Sequence, residues 1–231
     1  EWCEMTGYDG SEAQHQAIRN LASLPIDFTC SMVITPENVQ YFCESVQIAH
    51  DNGAKQFSFT FIIDNDGAEE KDLAYLQKHD PVKLVSGFIS QIDKLSAITD
   101  DWWVEYSFPM CVYTEEQLKL LKGRLATPCQ IHLKNAVTFN TKMELLPCDM
   151  YIYQQLGKFG RDFSSYQGFL SLTESANYNK TMDEIRKLPS DECTACEHFS
   201  VCYGGCPVLW KNYSFAALKE FKAKGPLNSG F

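Results

Sequence analysis

Apolar positions along the first 125 residues switch between two periods. DFTCSMVIT (27–35) and QFSFTFIID (56–64) are short runs of β-branched and aromatic residues, the composition of buried strands. Between them Val39, Phe42, Cys43, Val46 and Ala49 recur at helical spacing. Pro36 opens this segment and Gly53 stops it, so the pattern predicts a helix over 36–53. Leu84, Val85, Phe88, Ile92 and Leu95 give one apolar face to a second helix from Pro81 to Ile98. WWVEYSFPM (102–110) reads as a third strand, on which Trp102 and Trp103 face opposite ways and one enters the core. TEEQLKLLKGR (114–124) then reads as a short helix capped by Thr114. Strand followed by helix, repeated three times, implies a parallel sheet with right-handed crossovers. Three strands are too few to close a barrel and look like part of one.

Beyond Gly123 the periodicity changes. ATPCQIHLKNAVTFNTKMELLPC holds two short extended runs around Asn140 and Thr141, which predicts a β-hairpin bracketed by Cys129 and Cys148. Short helical segments follow, then the dense stretch CTACEHFSVCYGGC (193–206). The expected architecture is therefore α/β over 1–125, followed by a small Cys-rich α+β domain over 126–231.

Charge and composition narrow the partners. A net charge of −10 argues against nucleic acid, which wants a clustered basic surface. No apolar run approaches the ~20 residues that span a bilayer, so no membrane partner is expected. EWCEMTGYDG has no signal-peptide pattern and no initiator Met, which suggests a fragment or a trimmed product. Ten cysteines could form a disulfide framework, and Asn179 and Asn212 each open an Asn-x-Ser/Thr triplet compatible with secretion. Against this, a chain of 231 residues can bury a core without staples. The cysteines are also unevenly placed, with Cys30 and Cys43 lying singly in apolar segments as core thiols. A reducing cytoplasm is the expected compartment.

Cys193, Cys196, Cys202 and Cys206 stand at spacings of two, five and three intervening residues. Four thiols this close call for a thiophilic partner, because each is costly to hold deprotonated alone. Zinc favours paired short knuckles across a longer loop, whereas iron–sulfur clusters draw thiolates from closely spaced runs. The spacing favours iron–sulfur, with zinc as the alternative. Gly204 and Gly205 let backbone amides approach sulfur, and Pro207 ends the turn.

This Cys-x2-Cys-x5-Cys-x3-Cys run, CTACEHFSVCYGGCP, resembles the core of the SPASM and related twitch domains of radical S-adenosylmethionine enzymes. Cys129 and NTKMELLPCD resemble that family's hairpin, with Met143 standing where the family reads Gly, four intervening residues before a Cys. YDGSEAQHQAIRN (8–20) and SMVITPEN (31–38) resemble later segments of the radical SAM barrel. The resemblance implies a partial (β/α) radical-SAM-type barrel over 1–125 and a SPASM/twitch-like domain over 126–231. It implies one or two auxiliary iron–sulfur clusters of the 4Fe–4S type: Cys129, Cys148 and Cys206 at the first site, and Cys193, Cys196 and Cys202 at the second. A later Cys completes the second site in a full SPASM domain, and this chain has none after Cys206. Cys111, on the third strand, is either a fourth ligand of the first site or a structural thiol.

The family's catalytic Cys-x3-Cys-x2-Cys motif does not occur in the sequence. S-adenosylmethionine is therefore an expected cofactor only if the barrel segment bearing that motif is supplied. On this reading the chain is the C-terminal portion of an enzyme that oxidatively modifies a peptide or protein side chain. A 5′-deoxyadenosyl radical abstracts hydrogen, the auxiliary clusters relay electrons or hold substrate, and a flavodoxin or ferredoxin serves as reductant. Asp149, after Cys148, is the candidate proton acceptor, against a reading as a turn or cap residue. Arg19 is the candidate cofactor-side residue, against a reading as a surface arginine. The alternative function is a non-catalytic iron–sulfur or zinc module that assists a separate enzyme or binds peptide.

Overall fold

The computed structural model describes residues 9–64, 70–105, 108–126 and 129–224. The protein is mixed α/β, with two three-stranded sheets and no closed barrel among the described residues. It divides into two compact units. The first gathers Glu1–Ile62, Lys83–Tyr106 and Glu115–Ala126, and the second Ile63–Val82, Ser107–Thr114 and Thr127–Phe231.

In the first unit β1 (Thr29–Ile34), β2 (Gln56–Phe61) and β3 (Trp102–Val104) form a parallel sheet in sequence order. Thr29 pairs with Gln56 and Phe57 with Trp102, and Leu125 adds a parallel bridge to Val104. The helix Phe42–Asp51 crosses from β1 to β2, and the helices Pro81–Ile89 and Ile92–Ile98 precede β3. Their apolar faces meet over the sheet in a ring cluster. Phe42 stacks on Phe88 at 5.1 Å, and Phe59 meets Phe42 edge-on at 5.3 Å and Trp102 at 6.2 Å. Trp102 is the buried member of its pair, while Trp103 is half-exposed.

Two helix predictions are corrected here. Residues 36–41 form a turn, because Asn38 is claimed by the end of β1. Its side chain accepts from the Thr35 amide (2.9 Å) and donates to the Val33 carbonyl (2.8 Å), so helix begins only at Phe42. The single helix over 81–98 is two. The Ser90 hydroxyl turns back onto the Gly87 carbonyl (2.7 Å) where the chain breaks. The predicted strand over 102–110 is also shorter, since Met110–Val112 is a 3₁₀ turn and residues 106–107 lie outside the described set. The first eight residues and most of the acidic stretch 64–72 lie outside it too.

The second unit has little regular structure. The hairpin β4 (Thr138–Phe139) and β5 (Glu144–Leu146) is antiparallel, with β6 (Gly157–Lys158) along its other side. The Asn140 side chain builds the hairpin turn by accepting the Lys142 (2.9 Å) and Glu144 (3.0 Å) amides. The helix Asp72–His79 lies against the helix Phe215–Lys224. Asn212 ties that region together: it is buried and donates to the Asp64 carbonyl at 2.8 Å. An amide so engaged is closed to glycosylation in the folded chain, which removes one of the two triplets that had allowed secretion. No described helix is long and apolar enough to cross a membrane.

Met143 carries a left-handed backbone, with φ at +58°. An L side chain there costs about 1–2 kcal/mol. Met143 is 47% exposed, so little packing offsets that cost. The expected result is that Met143→Gly stabilises the protein by about 1 kcal/mol in denaturant unfolding, less than the strain because glycine is freer in the unfolded chain.

Candidate metal centre

The cysteines that crowd together in sequence separate in space. Cys206 leaves its neighbours and joins Cys129 and Cys148. All three pack against the buried cluster of Ile131, Tyr151, Met182 and Val208, and the charges of Cys129 and Cys148 both act on Cys206. Cys193, Cys196 and Cys202 form a second set in which each pair interacts electrostatically. All nine described cysteines are free thiols.

Local backbone explains how each sulfur of the first set is aimed. Cys129 stands just before the helical turn Gln130–Leu133, Cys148 where the chain leaves β5, and Cys206 just before the 3₁₀ turn Leu209–Lys211. The Ile131 and His132 amides favour charge on the Cys129 sulfur, those of Met150 and Tyr151 on Cys148, and those of Val208 and Leu209 on Cys206. These are in each case the residues two and three places on, and the third amide donates to the cysteine's own carbonyl, His132 to Cys129 at 2.9 Å, Tyr151 to Cys148 at 3.2 Å and Leu209 to Cys206 at 3.1 Å. Cys202 receives the Gly204 and Gly205 amides in the same way, and the Met110 amide at 3.4 Å.

The two glycines make this possible. Their φ angles are +84° and +78°, which folds the chain back over Cys202. A Cβ on Gly205 would stand 2.8 Å from the Cβ of Pro109 and 3.0 Å from its Cα.

Burial opposes the charge that the amides favour. Desolvation pushes the Cys129, Cys148, Cys193 and Cys202 thiols up, and Cys206 to about 12. Without a metal these sulfurs are protonated near neutral pH, so a bound cation is what converts the set into ligands. Spacing discriminates between candidate groups. Thiolates around a single zinc at ~2.3 Å would stand about 3.8 Å apart. Among the described residues no three cysteine sulfurs lie within 4.8 Å of one another. Soft donors in this open arrangement fit a polynuclear iron–sulfur cluster better than a single zinc ion.

The other two predicted site residues fall in different places. Asp149 is exposed in the turn after Cys148, and its charge acts on both Cys129 and Cys148. Arg19 lies in the first unit on the helix Ser11–Ala22, held by Asn52 (2.6 Å), Glu12 (2.6 Å) and Gln16 (2.9 Å). Its guanidinium braces that helix against the end of the helix Phe42–Asp51. Cys43 is buried and donates to the Gln91 carbonyl at 3.7 Å, as a core thiol does.

Sequence reading missed two features and left a third, Cys111, as either a ligand of the first set or a structural thiol. His132 sits beside the first set, half-buried, with Nε2 3.4 Å from the Gly205 carbonyl; burial lowers its pKa and favours the neutral ring. A cavity of about 300 Å³ adjoins the same set, sharing Ile131 and Met182 with it and lined further by Leu146, Phe169, Tyr178 and Arg186. The Arg186 side chain donates to the Ile131 carbonyl at 2.9 Å, which fixes the cavity wall. The third feature is Cys111, whose charge interacts with Cys202 and Cys193 rather than with the first set. No local motif announces any of the three.

Replacing Gly205 by Ala is expected to cost at least the ~1–2 kcal/mol of a left-handed alanine, and more from the collision with Pro109. Thermal unfolding with and without metal reads it, and an unchanged midpoint would contradict the loop geometry. Metal uptake should also depend on pH. Each thiol is protonated before binding and ionised after it, so binding releases protons and tightens by about tenfold per pH unit for each proton released. Titration calorimetry in buffers of different ionisation enthalpy measures that release.

No protein-family model, curated protein or solved structure matches this chain.

Proposed function

We propose that the second unit is an iron–sulfur module with two sites, and that the chain is the C-terminal portion of a radical SAM/SPASM-type enzyme acting on a peptide or protein side chain. The observation that carries the iron–sulfur reading is the division of six cysteines into two sets, with paired backbone amides aimed at each sulfur of the first. Amide donors to sulfur stabilise thiolate and tune the potential of whatever it binds. The enzyme reading comes from the resemblance of the Cys-x2-Cys-x5-Cys-x3-Cys run and its hairpin. The finer fold assignment, a partial radical-SAM-type barrel followed by a SPASM/twitch-like domain, belongs to the same proposal. The parallel order β1–β2–β3 with intervening helices is compatible with it.

When bound, the clusters would supply one-electron chemistry. The chain's own residues then have distinct tasks. Cys129, Cys148 and Cys206 hold the first group, and Cys193, Cys196 and Cys202 the second. Asp149, open to solvent beside the first set, is placed to take a proton released from substrate. The neighbouring cavity, lined in like measure by apolar groups such as Leu146 and Phe169 and by polar ones such as Gln130, Lys134, Asn179 and Arg186, suits one polar side chain of a peptide. S-adenosylmethionine and a flavodoxin- or ferredoxin-like reductant enter this reading only with the Cys-x3-Cys-x2-Cys segment. A second reading, a cluster-binding module that assists a separate enzyme, needs no such segment.

Anaerobic purification followed by iron, sulfide and zinc analysis tests the proposal. Two clusters of the 4Fe–4S type give about eight irons and eight sulfides per chain. Stoichiometric zinc without iron would sink it. Cys193→Ala and Cys206→Ala should each remove about half of the iron, because they belong to different sites.

A further inference from the structure

The second sulfur set has three members by sequence, and the fold brings it a fourth from far upstream. We infer that Cys111 completes a four-thiolate site with Cys193, Cys196 and Cys202, from a position that precedes the whole motif. This deepens the iron–sulfur reading and rests on it.

Three observations place Cys111 there. The Met110 amide donates directly to the Cys202 sulfur at 3.4 Å, which sets the neighbouring residue beside that set. Charge on Cys111 interacts with Cys202 and Cys193. Pro109, which opens the 3₁₀ turn Met110–Val112, packs on Gly205 so tightly that no side chain fits between them. The turn is thus seated on the cysteine loop by its backbone on one side and by an amide–sulfur bond on the other.

The turn is also pinned from a third direction. Lys222, in the last turn of the helix Phe215–Lys224, donates its ammonium to the Cys111 carbonyl at 2.6 Å. Within the turn the Val112 amide donates to the Pro109 carbonyl (2.8 Å) and the Tyr113 amide to the Met110 carbonyl (3.1 Å). The backbone carrying Cys111 is therefore held on both flanks of the residue. Four thiolates concentrate negative charge, and the Lys222 ammonium lies where it offsets part of it. Part of Cys111 is open to solvent, but its thiol is desolvated by its surroundings, as a ligand at the rim of a buried cluster would be.

The donor set then differs between the two sites. The first offers three thiolates and leaves a coordination position to another group, whereas the second is closed by four. A closed Cys₄ site suits a cluster that passes electrons, and an open one suits a cluster that meets a further ligand.

Full-length wild type, Cys111→Ala, Cys111→Ser and, as a control thiol, Cys30→Ala are loaded anaerobically with iron and sulfide. Iron content and the electron paramagnetic resonance spectrum of the dithionite-reduced protein are recorded, with circular dichroism to verify folding. The expected result is that Cys111→Ala loses or alters one cluster signal and up to half of the iron. The signal that depends on Cys206 persists, Cys111→Ser recovers iron with a shifted signal, and Cys30→Ala matches wild type. Wild type with two clusters and a Cys111→Ala spectrum identical to it would overturn this assignment alone. Equal loss of both signals in Cys111→Ala would also overturn it, since the residue would then act on the whole unit. A wild-type chain that takes up no iron would overturn the parent reading together with this one.

Discussion

A sulfur atom taken out of water must be met by something, and the second unit is organised around that requirement. A buried thiol is a weak hydrogen-bonding group, while a buried thiolate is a charge whose desolvation is far more costly. The chain provides part of the answer itself by turning paired amides onto Cys129, Cys148, Cys202 and Cys206. The upward shift that remains on every one of these thiols shows that amides alone do not suffice. On the proposed iron–sulfur reading a bound cation would supply the rest, by displacing the thiol protons.

The same requirement accounts for the sparse regular structure of this unit. The amide three places past each cysteine closes a tight turn on that cysteine's carbonyl, as at His132 (2.9 Å), Gly205 (2.8 Å) and Leu209 (3.1 Å), and such a turn is not the start of a strand ladder. Each ligand therefore sits at the start of something short: a four-residue helix after Cys129, a turn after Cys148, a three-residue 3₁₀ segment after Cys206. The β4–β5 hairpin brings Cys148 toward Cys129, and its strands are only two and three residues long. Longer elements are kept where no sulfur needs serving, as in Asp72–His79 against Phe215–Lys224.

What could be read from the sequence follows the same division. The three parallel strands of the first unit were legible because β2 sets Phe57, Phe59 and Phe61 on alternate positions and β1 alternates exposed and half-buried ones, patterns that burial imposes directly. The start of the first crossing helix was not, because one side chain, Asn38, outcompeted a run of helical periodicity. The grouping of Cys206 with Cys129 and Cys148 was available only through family resemblance, and the geometry now places those three together on physical grounds. Met143 was legible as an oddity of composition, and its positive φ gives the reason a glycine would be expected there. Cys111 could be read only as a ligand of the first set or a structural thiol, because no periodicity encodes a contact with a set so far along the chain.

Tyr213 shows why the two sulfur sets are not independent sites. Its side chain is buried, its hydroxyl has no hydrogen-bond partner, and its ionisation is opposed first by desolvation and then by Cys111 of one set and Cys206 of the other. One buried aromatic residue thus feels Cys111 and Cys206 alike. On the proposed two-site reading, charge placed on either set would act on the other through that low-dielectric side chain, and the two would titrate as a coupled pair.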